Sequence, residues 1–303
     1  MDFQIKPLGL DPTALTELSE RLIVSHHANN YSGAVKRLNA IRQQLAELDW
    51  ASAPVFVING LKREELIAAN SAVLHELYFD ALGGDGVLPP SGLEVALQRD
   101  FGLVEQWRSE FTALAKALAG GSGWALLSWS SRETRLVNHW AADHTQMLAG
   151  ATPLLALDMY EHAYHLDFGA KAGGYVDAFM KNIHWVKVHM RYRAAITSDT
   201  PDIGVPPGEL SNGPPLLIDV RHVEDFTASP DMVKGAVWHD PSALADWSQA
   251  LNPAQPVLVY CVKGLDICRS AALALRTRGI DARYLDGGIN AWRSAGLPLQ
   301  AKP

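Results

Sequence analysis

Apolar residues recur three and four apart through LTELSERLIVSHHANNYSGAVKRLNAIRQQLAEL, about Leu15 to Leu48, with no proline among them. That spacing predicts one long helix with a buried face. After PVFVING the same period returns in LKREELIAANSAVLHELYFDALGG, closing on a glycine pair that suits a helix stop. Two long helices with a short connection predict an antiparallel hairpin. A third helical stretch, GLEVALQRDFGLVEQWRSEFTALAKALAGG, follows PPS. Then the period shortens. WALLSWS, RLVNHWA and PLLALD are brief, rich in aromatic and branched residues and separated by polar turns, which predicts a small antiparallel sheet. Helical spacing resumes in VDAFMKNIHWVKVHMRYRAAI, so residues 1–196 read as an α-helical hairpin followed by an α+β unit.

Residues 197–215, TSDTPDIGVPPGELSNGPP, offer almost nothing to bury and read as a linker. Beyond it, PLLIDVR, PVLVYCV and ARYLDG look like buried parallel strands, alternating with helical AALALRTRG and INAWRSAG. Residues 216–303 are therefore expected to form a small α/β domain with a parallel sheet. No internal repeat relates the two halves.

Composition narrows the class. Of 303 residues, 48% are hydrophobic and 19% charged, ordinary values that argue against extensive disorder. A net charge of −7 argues against nonspecific binding to nucleic acid or an anionic membrane. No apolar run approaches the ~20 residues of a spanning helix, and the start, MDFQIKPLGL, lacks the basic-then-apolar order of a secretory signal. The two cysteines, Cys261 and Cys268, share one short segment and make no disulfide framework. A cytoplasmic location is expected.

The densest chemistry lies in DMYEHAYHLDFG, which crowds Asp158, Glu161, His162 and His165 together. Burying such groups is costly unless a charge meets them. PLLALD places Asp158 at the carboxyl end of a strand, with His162 one turn later. His26 (in LIVSHHA) and His75 (in SAVLHEL) each sit among apolar neighbours on a helix. A lone histidine so placed is ordinarily a hydrogen-bonded core residue. Three such histidines and an aspartate, on separate core-facing elements, are harder to dismiss in that way.

These pieces resemble the iron/manganese superoxide dismutases over residues 1–196. The matching motifs are the His-His pair on the first helix, His75 followed by ELYFDAL, and GSGW ending at Trp124. The longest is PLLALDMYEHAYHLDFGAKAGGYVDAFM, close to the family's D-x-W-E-H-A-Y-Y signature and its sequel. The resemblance implies that His26, His75, Asp158 and His162 hold one iron or manganese ion per subunit, iron being favoured, and that superoxide is the substrate. Three neutral imidazoles and a carboxylate suit such an ion. It also implies a homodimer or dimer of dimers, with Glu161 reaching the ligand histidine of the partner subunit across a two-fold axis.

Several positions depart from the family pattern. Its gating tyrosine is replaced by Ala34, and Tyr31, three residues earlier, is expected to cover part of the same opening. Asn30 and His165 replace a histidine and a tyrosine that usually meet between subunits, and an amide–imidazole hydrogen bond is expected in their place. Tyr160 replaces the usual tryptophan, and Ser71 stands where iron enzymes often carry glutamine. In ADHTQ, Asp143, His144 or Gln146 is expected to hydrogen-bond solvent at the metal, His144 being favoured.

From Leu216 to Leu299 the chain resembles a rhodanese-type domain. LLIDVR with Asp219, VYCVKG, and YLDGGINAWRSAGLPL match that family's motifs at the right separations. A cysteine between a buried strand and a helix start has its thiolate stabilised by amides and the helix dipole. The resemblance implies that Cys261 accepts sulfur as a persulfide from a small donor and passes it to an acceptor. Gly264 is expected to supply a left-handed turn in that loop. Asp266 replaces a common arginine and Lys263 is the loop's one cation, so weak activity toward thiosulfate is expected. Cys268 is read as a packed thiol, with resolution of a Cys261 persulfide or a disulfide as the alternative. The combined expectation is a dismutase with an appended rhodanese-like domain. The alternative is a sulfurtransferase whose dismutase-like domain is a metal-binding dimerisation scaffold or sensor.

Overall fold

The structure is a computed structural model that describes residues 2–199, 203–209 and 215–302. Helix α1 (Glu20–Ser25) begins where Ser19 accepts a hydrogen bond from the Leu22 amide. A π-helical turn, His26–Tyr31, follows and leads into α2 (Ser32–Ala46). The single helix expected over Leu15–Leu48 thus starts later and contains a widened turn. Helix α3 (Val55–Asp80) takes in VFVING and packs on α2 through Leu38, Ile41, Leu45 and Ala68, giving the expected hairpin. The third helical stretch is not continuous. It divides into α4 (Gly92–Phe101) and α5 (Val104–Ala117) because Gly102 turns left-handed, at φ 86°, and ends the first helix.

Three strands come next: β1 (Trp124–Ser130), β2 (Arg135–Ala141) and β3 (Ala151–Asp158), in the order β2–β1–β3. Strands β1 and β3 are antiparallel, and their register sets Trp124 directly opposite Asp158. Gly123, at φ 141°, starts this ladder. A side chain there would lie 2.2 Å from the Ala141 carbonyl oxygen, so the bend before Trp124 requires glycine. Short α6 (His165–Phe168), α7 (Ala172–Lys181) and α8 (Trp185–Asp199) complete this part.

The remaining elements are β4 (Gly204–Val205), β5 (Leu216–Asp219), α9 (Val223–Ala228), β6 (Asp231–Val233), β7 (Val237–Trp238), α10 (Leu244–Trp247), β8 (Val257–Tyr260), α11 (Asp266–Arg276), β9 (Ala282–Leu285), α12 (Gly288–Ser294) and β10 (Leu299–Ala301). Five form a parallel sheet in the order β4–β9–β8–β5–β7, as the strand pattern predicts. Its edge strand β4 comes from the segment read as a linker. Other parts of that segment, residues 200–202 and 210–214, lie outside the described residues. Val233, Leu258, Tyr260, Leu285 and Ile289 build the core against this sheet.

The chain divides into two compact units. One comprises Met1–Val87, Arg108–Arg132 and Val137–Val188; the other comprises Leu88–Trp107, Glu133–Leu136 and His189–Pro303.

Candidate metal centre and cysteine loop

In the first unit four separate elements deliver one side chain each to a single buried point. His26 opens the π turn, His75 lies on α3, Asp158 ends β3, and His162 sits in the 3-10 turn Glu161–Ala163. Their ligand atoms all lie within 4.8 Å of one another. The geometry is centred on Asp158 Oδ2: the Nε2 atoms of His26 and His162 are each 3.1 Å away and that of His75 is 3.5 Å away. The other carboxylate oxygen accepts the Tyr160 amide at 2.8 Å, which fixes the turn.

The state of His75 follows from its partners. Its Nδ1 lies 2.7 Å from the Ser71 carbonyl oxygen. A carbonyl only accepts, so Nδ1 carries the proton and Nε2 presents its lone pair. That Nε2 is buried and has no hydrogen-bond partner, and burial pushes the imidazole down to about 3. His26 is lowered as well, by burial. Burial alone would raise the Asp158 carboxyl, yet hydrogen bonds from His162 and His26 hold it well below the usual range. A buried carboxylate thus faces two imidazoles, His26 and His75, that burial keeps neutral, one of them with a bare lone pair. A cation of borderline softness completes that arrangement, so the residues present fit iron or manganese.

A cavity of about 460 Å³ opens onto this point, and its walls include Asn30, Ala34, Arg37, Ser71, His144 and Tyr160. The Trp124 indole donates to His144 Nδ1 at 2.9 Å, which leaves the His144 proton on Nε2. The His144 ring stacks on Tyr160, with centroids 4.9 Å apart, and Tyr160 stacks on His162 at 5.5 Å. Burial lowers His144 and keeps it neutral. The other candidates in ADHTQ are engaged locally: Gln146 accepts the Ala142 amide and Asp143 accepts the Thr145 amide.

The Tyr31 hydroxyl accepts the Lys6 amide and donates to Glu76, both at 2.9 Å, and its ring lies 6.5 Å from that of His75. Ala34 lines the cavity. Glu161 and His165 are exposed, and Asn30 lies on the cavity wall. Sequence reasoning missed Arg37, which lines the same cavity while its guanidinium pairs with Glu64, and Asn70, whose amide donates to the His144 carbonyl and fixes that loop. The signal was available for Asn70, a polar residue on the buried side of α3.

In the second unit Cys261 follows β8, and its carbonyl oxygen accepts the Ile289 amide at 2.9 Å. Gly264 has φ 67°, and a Cβ there would lie 2.3 Å from the Gly287 nitrogen, so the loop admits only glycine. The hydrogen bond with Cys268 lowers the Cys261 thiol, burial opposes it, and amides of Leu265, Cys268 and Lys263 add to the lowering, leaving it at about 7. The Lys263 side chain is exposed. Asp266 is buried: it accepts from His189 Nε2 at 2.7 Å and from the Gly92 amide at 3.0 Å. Asp219, on the neighbouring strand, holds Arg221 with contacts of 2.6–3.0 Å and accepts from the Tyr260 hydroxyl at 2.9 Å. Alkylation of Cys261 by iodoacetamide is expected to be half-maximal near pH 7, as its thiolate fraction rises, and Cys268→Ser should move that midpoint upward. Peptide mass mapping across a pH series checks both.

Comparison with known proteins decides the family. A superoxide dismutase [Fe] of Cupriavidus metallidurans is 64% identical over 196 residues, which are 65% of this chain and 99% of that protein. The chain belongs to the iron/manganese superoxide dismutase family. The family model for the iron/manganese superoxide dismutase C-terminal domain matches residues 89–191, and a rhodanese-like domain model matches 208–295. A superoxide dismutase [Fe] of Aquifex pyrophilus is 36% identical over 195 residues, 62% of this chain and 90% of that protein. A superoxide dismutase [Mn] 1 of Halobacterium salinarum is 34% identical over 201 residues, 64% and 96% of the two chains. Among the described residues of this dismutase-family chain, no helix is long and apolar enough to cross a membrane.

Proposed function

We propose that the chain dismutates superoxide to oxygen and hydrogen peroxide at one iron or manganese ion, iron being favoured, held by His26, His75, Asp158 and His162. The observation that carries this reading is the convergence of three imidazole Nε2 atoms on Asp158 Oδ2 in a buried site. When bound, such an ion supplies one-electron redox chemistry by alternating between two oxidation states. The residues around it bind and orient. The Asp158 charge offsets part of the cation's charge, and the Ser71 carbonyl holds His75 in the ligating tautomer. Trp124 holds His144 so that its Nε2–H is available as a donor beside the cavity. Arg37, its guanidinium paired with Glu64, lines the cavity that an anion such as superoxide enters.

We assign this chemistry to residues 1–196, joined through 197–215 to a sulfur-handling domain, 216–303, in which Cys261 carries sulfur between a small donor and an acceptor. The lowered Cys261 thiol under the amides of its loop supports that role. Glu161 and His165, both exposed, are available to a second copy in a homodimer, and we place the protein in the cytoplasm.

The test is reconstitution of metal-free protein with iron or manganese separately. Each preparation is assayed for inhibition of superoxide-driven cytochrome c reduction. One ion per chain with activity, higher for iron, is the expected result. Stoichiometric metal without inhibition would favour a scaffold or sensor, leaving sulfur transfer as the main activity.

A further inference from the structure

Cys261 and Cys268 are the two cysteines of the sequence, and the fold sets their sulfur atoms 3.3 Å apart. Both are free thiols. A disulfide requires sulfurs about 2.05 Å apart, so closing this pair takes a movement of only about 1 Å. The backbone around Cys261 is already fixed: its carbonyl and that of Val262 accept the Ile289 and Asn290 amides at 2.9 and 3.3 Å. Side-chain rotation has to supply the movement.

The two sulfurs are unequal. Cys261 keeps 4% exposure at the end of β8, whereas Cys268 is fully buried on α11 and donates to the Leu265 carbonyl at 3.3 Å. A small reagent from solvent meets Cys261 first. Cys268 is reached from Cys261 itself. That is the division of labour between an attacking and a resolving thiol, and it goes beyond the sulfur-carrying role, which requires no disulfide between the two cysteines.

We propose that Cys261 and Cys268 form a peroxide-reducing dithiol site whose oxidised product is an intramolecular disulfide. The Cys261 thiolate attacks one oxygen of hydrogen peroxide; the O–O bond breaks, and the departing hydroxide takes a proton to become water. The resulting sulfenic acid is attacked by Cys268; the S–S bond forms, the S–O bond breaks, and the hydroxyl leaves as water with the Cys268 proton. Two thiols give up two electrons and peroxide takes them. An external dithiol of the thioredoxin or dithiothreitol class returns the pair to the reduced state. Hydrogen peroxide is a product of the dismutation proposed above, but the inference does not rest on that source, because peroxide can be supplied directly. While oxidised, Cys261 cannot accept sulfur.

The full-length, metal-loaded protein is reduced, desalted, treated with a few equivalents of hydrogen peroxide, quenched with catalase, and alkylated under denaturing conditions. Intact mass is expected to fall by about 2 Da with no alkyl group added, and dithiothreitol should restore two alkylatable thiols. Cys268→Ser should instead gain about 16 or about 32 Da on Cys261, and Cys261→Ser should leave Cys268 reduced at the same dose. Lys263 lies between the cysteines, so trypsin cuts the segment and only a disulfide keeps the two peptides together. That readout on the wild-type chain stands even where a serine variant fails to fold. Two thiols still alkylatable, added oxygen in the wild type, or a disulfide joining two chains would each overturn the proposal.

Discussion

Asp158→Asn is expected to lower metal affinity by at least about 10–100-fold, the range seen when groups merely supporting metal ligands are lost, and dismutation should fall with it. The substitution keeps shape. An asparagine oxygen still accepts the Tyr160 amide, which now binds Asp158 Oδ1 at 2.8 Å, so the turn carrying His162 stays in place. What disappears is the negative charge on which three imidazoles converge. Neutral ligands alone do not compensate a divalent or trivalent cation in a buried site. The measurement is metal per chain after dialysis against a chelator, with the unfolding midpoint as a check on folding. A variant that retained a full complement of metal would remove the aspartate from the ligand set.

The second large effect lies in the other unit. Asp219→Ala should destabilise it by about 3–5 kcal/mol, because the substitution strands a buried guanidinium. Asp219 and Arg221 are 0% and 1% exposed. The arginine side chain makes three contacts to that carboxylate and donates to the Asp231 carbonyl as well. Its guanidinium also lies over the Phe226 ring, 5.3 Å from the centroid. Urea denaturation followed by tryptophan fluorescence reads the loss, since the Trp238 indole donates to the Arg221 carbonyl. Adding Arg221→Met should recover part of it, because the unpaired charge is then gone. Equal losses in the single and double variants would show that the pair is not coupled.

Much of this protein was legible in its sequence. The helical hairpin, the three-strand sheet and the parallel α/β domain follow from period, because burial enforces period wherever one face of an element meets a core. His26 and His75 stood out as polar residues on apolar faces, and Asp158 as a carboxylate ending an apolar strand. Less legible were features set by backbone geometry or by distant partners. Gly102 breaks a stretch whose apolar spacing runs on without interruption, since one left-handed residue ends a helix without altering the pattern around it. The hydrogen bonds of Asp266 are not legible either, because its partners His189 and Gly92 lie far away in the sequence.

The π turn at His26–Tyr31 carries a consequence of its own. A π turn accommodates one more residue than an α turn, which advances everything after it by roughly 100° of rotation. His26 therefore keeps the phase of α1, while Ala34 and Arg37 keep the phase of α2. Deleting one residue between His27 and Asn29 would restore an unbroken helix and, in the same stroke, rotate Ala34 and Arg37 relative to His26. The irregularity is the joint that lets one helical segment serve two facings at once.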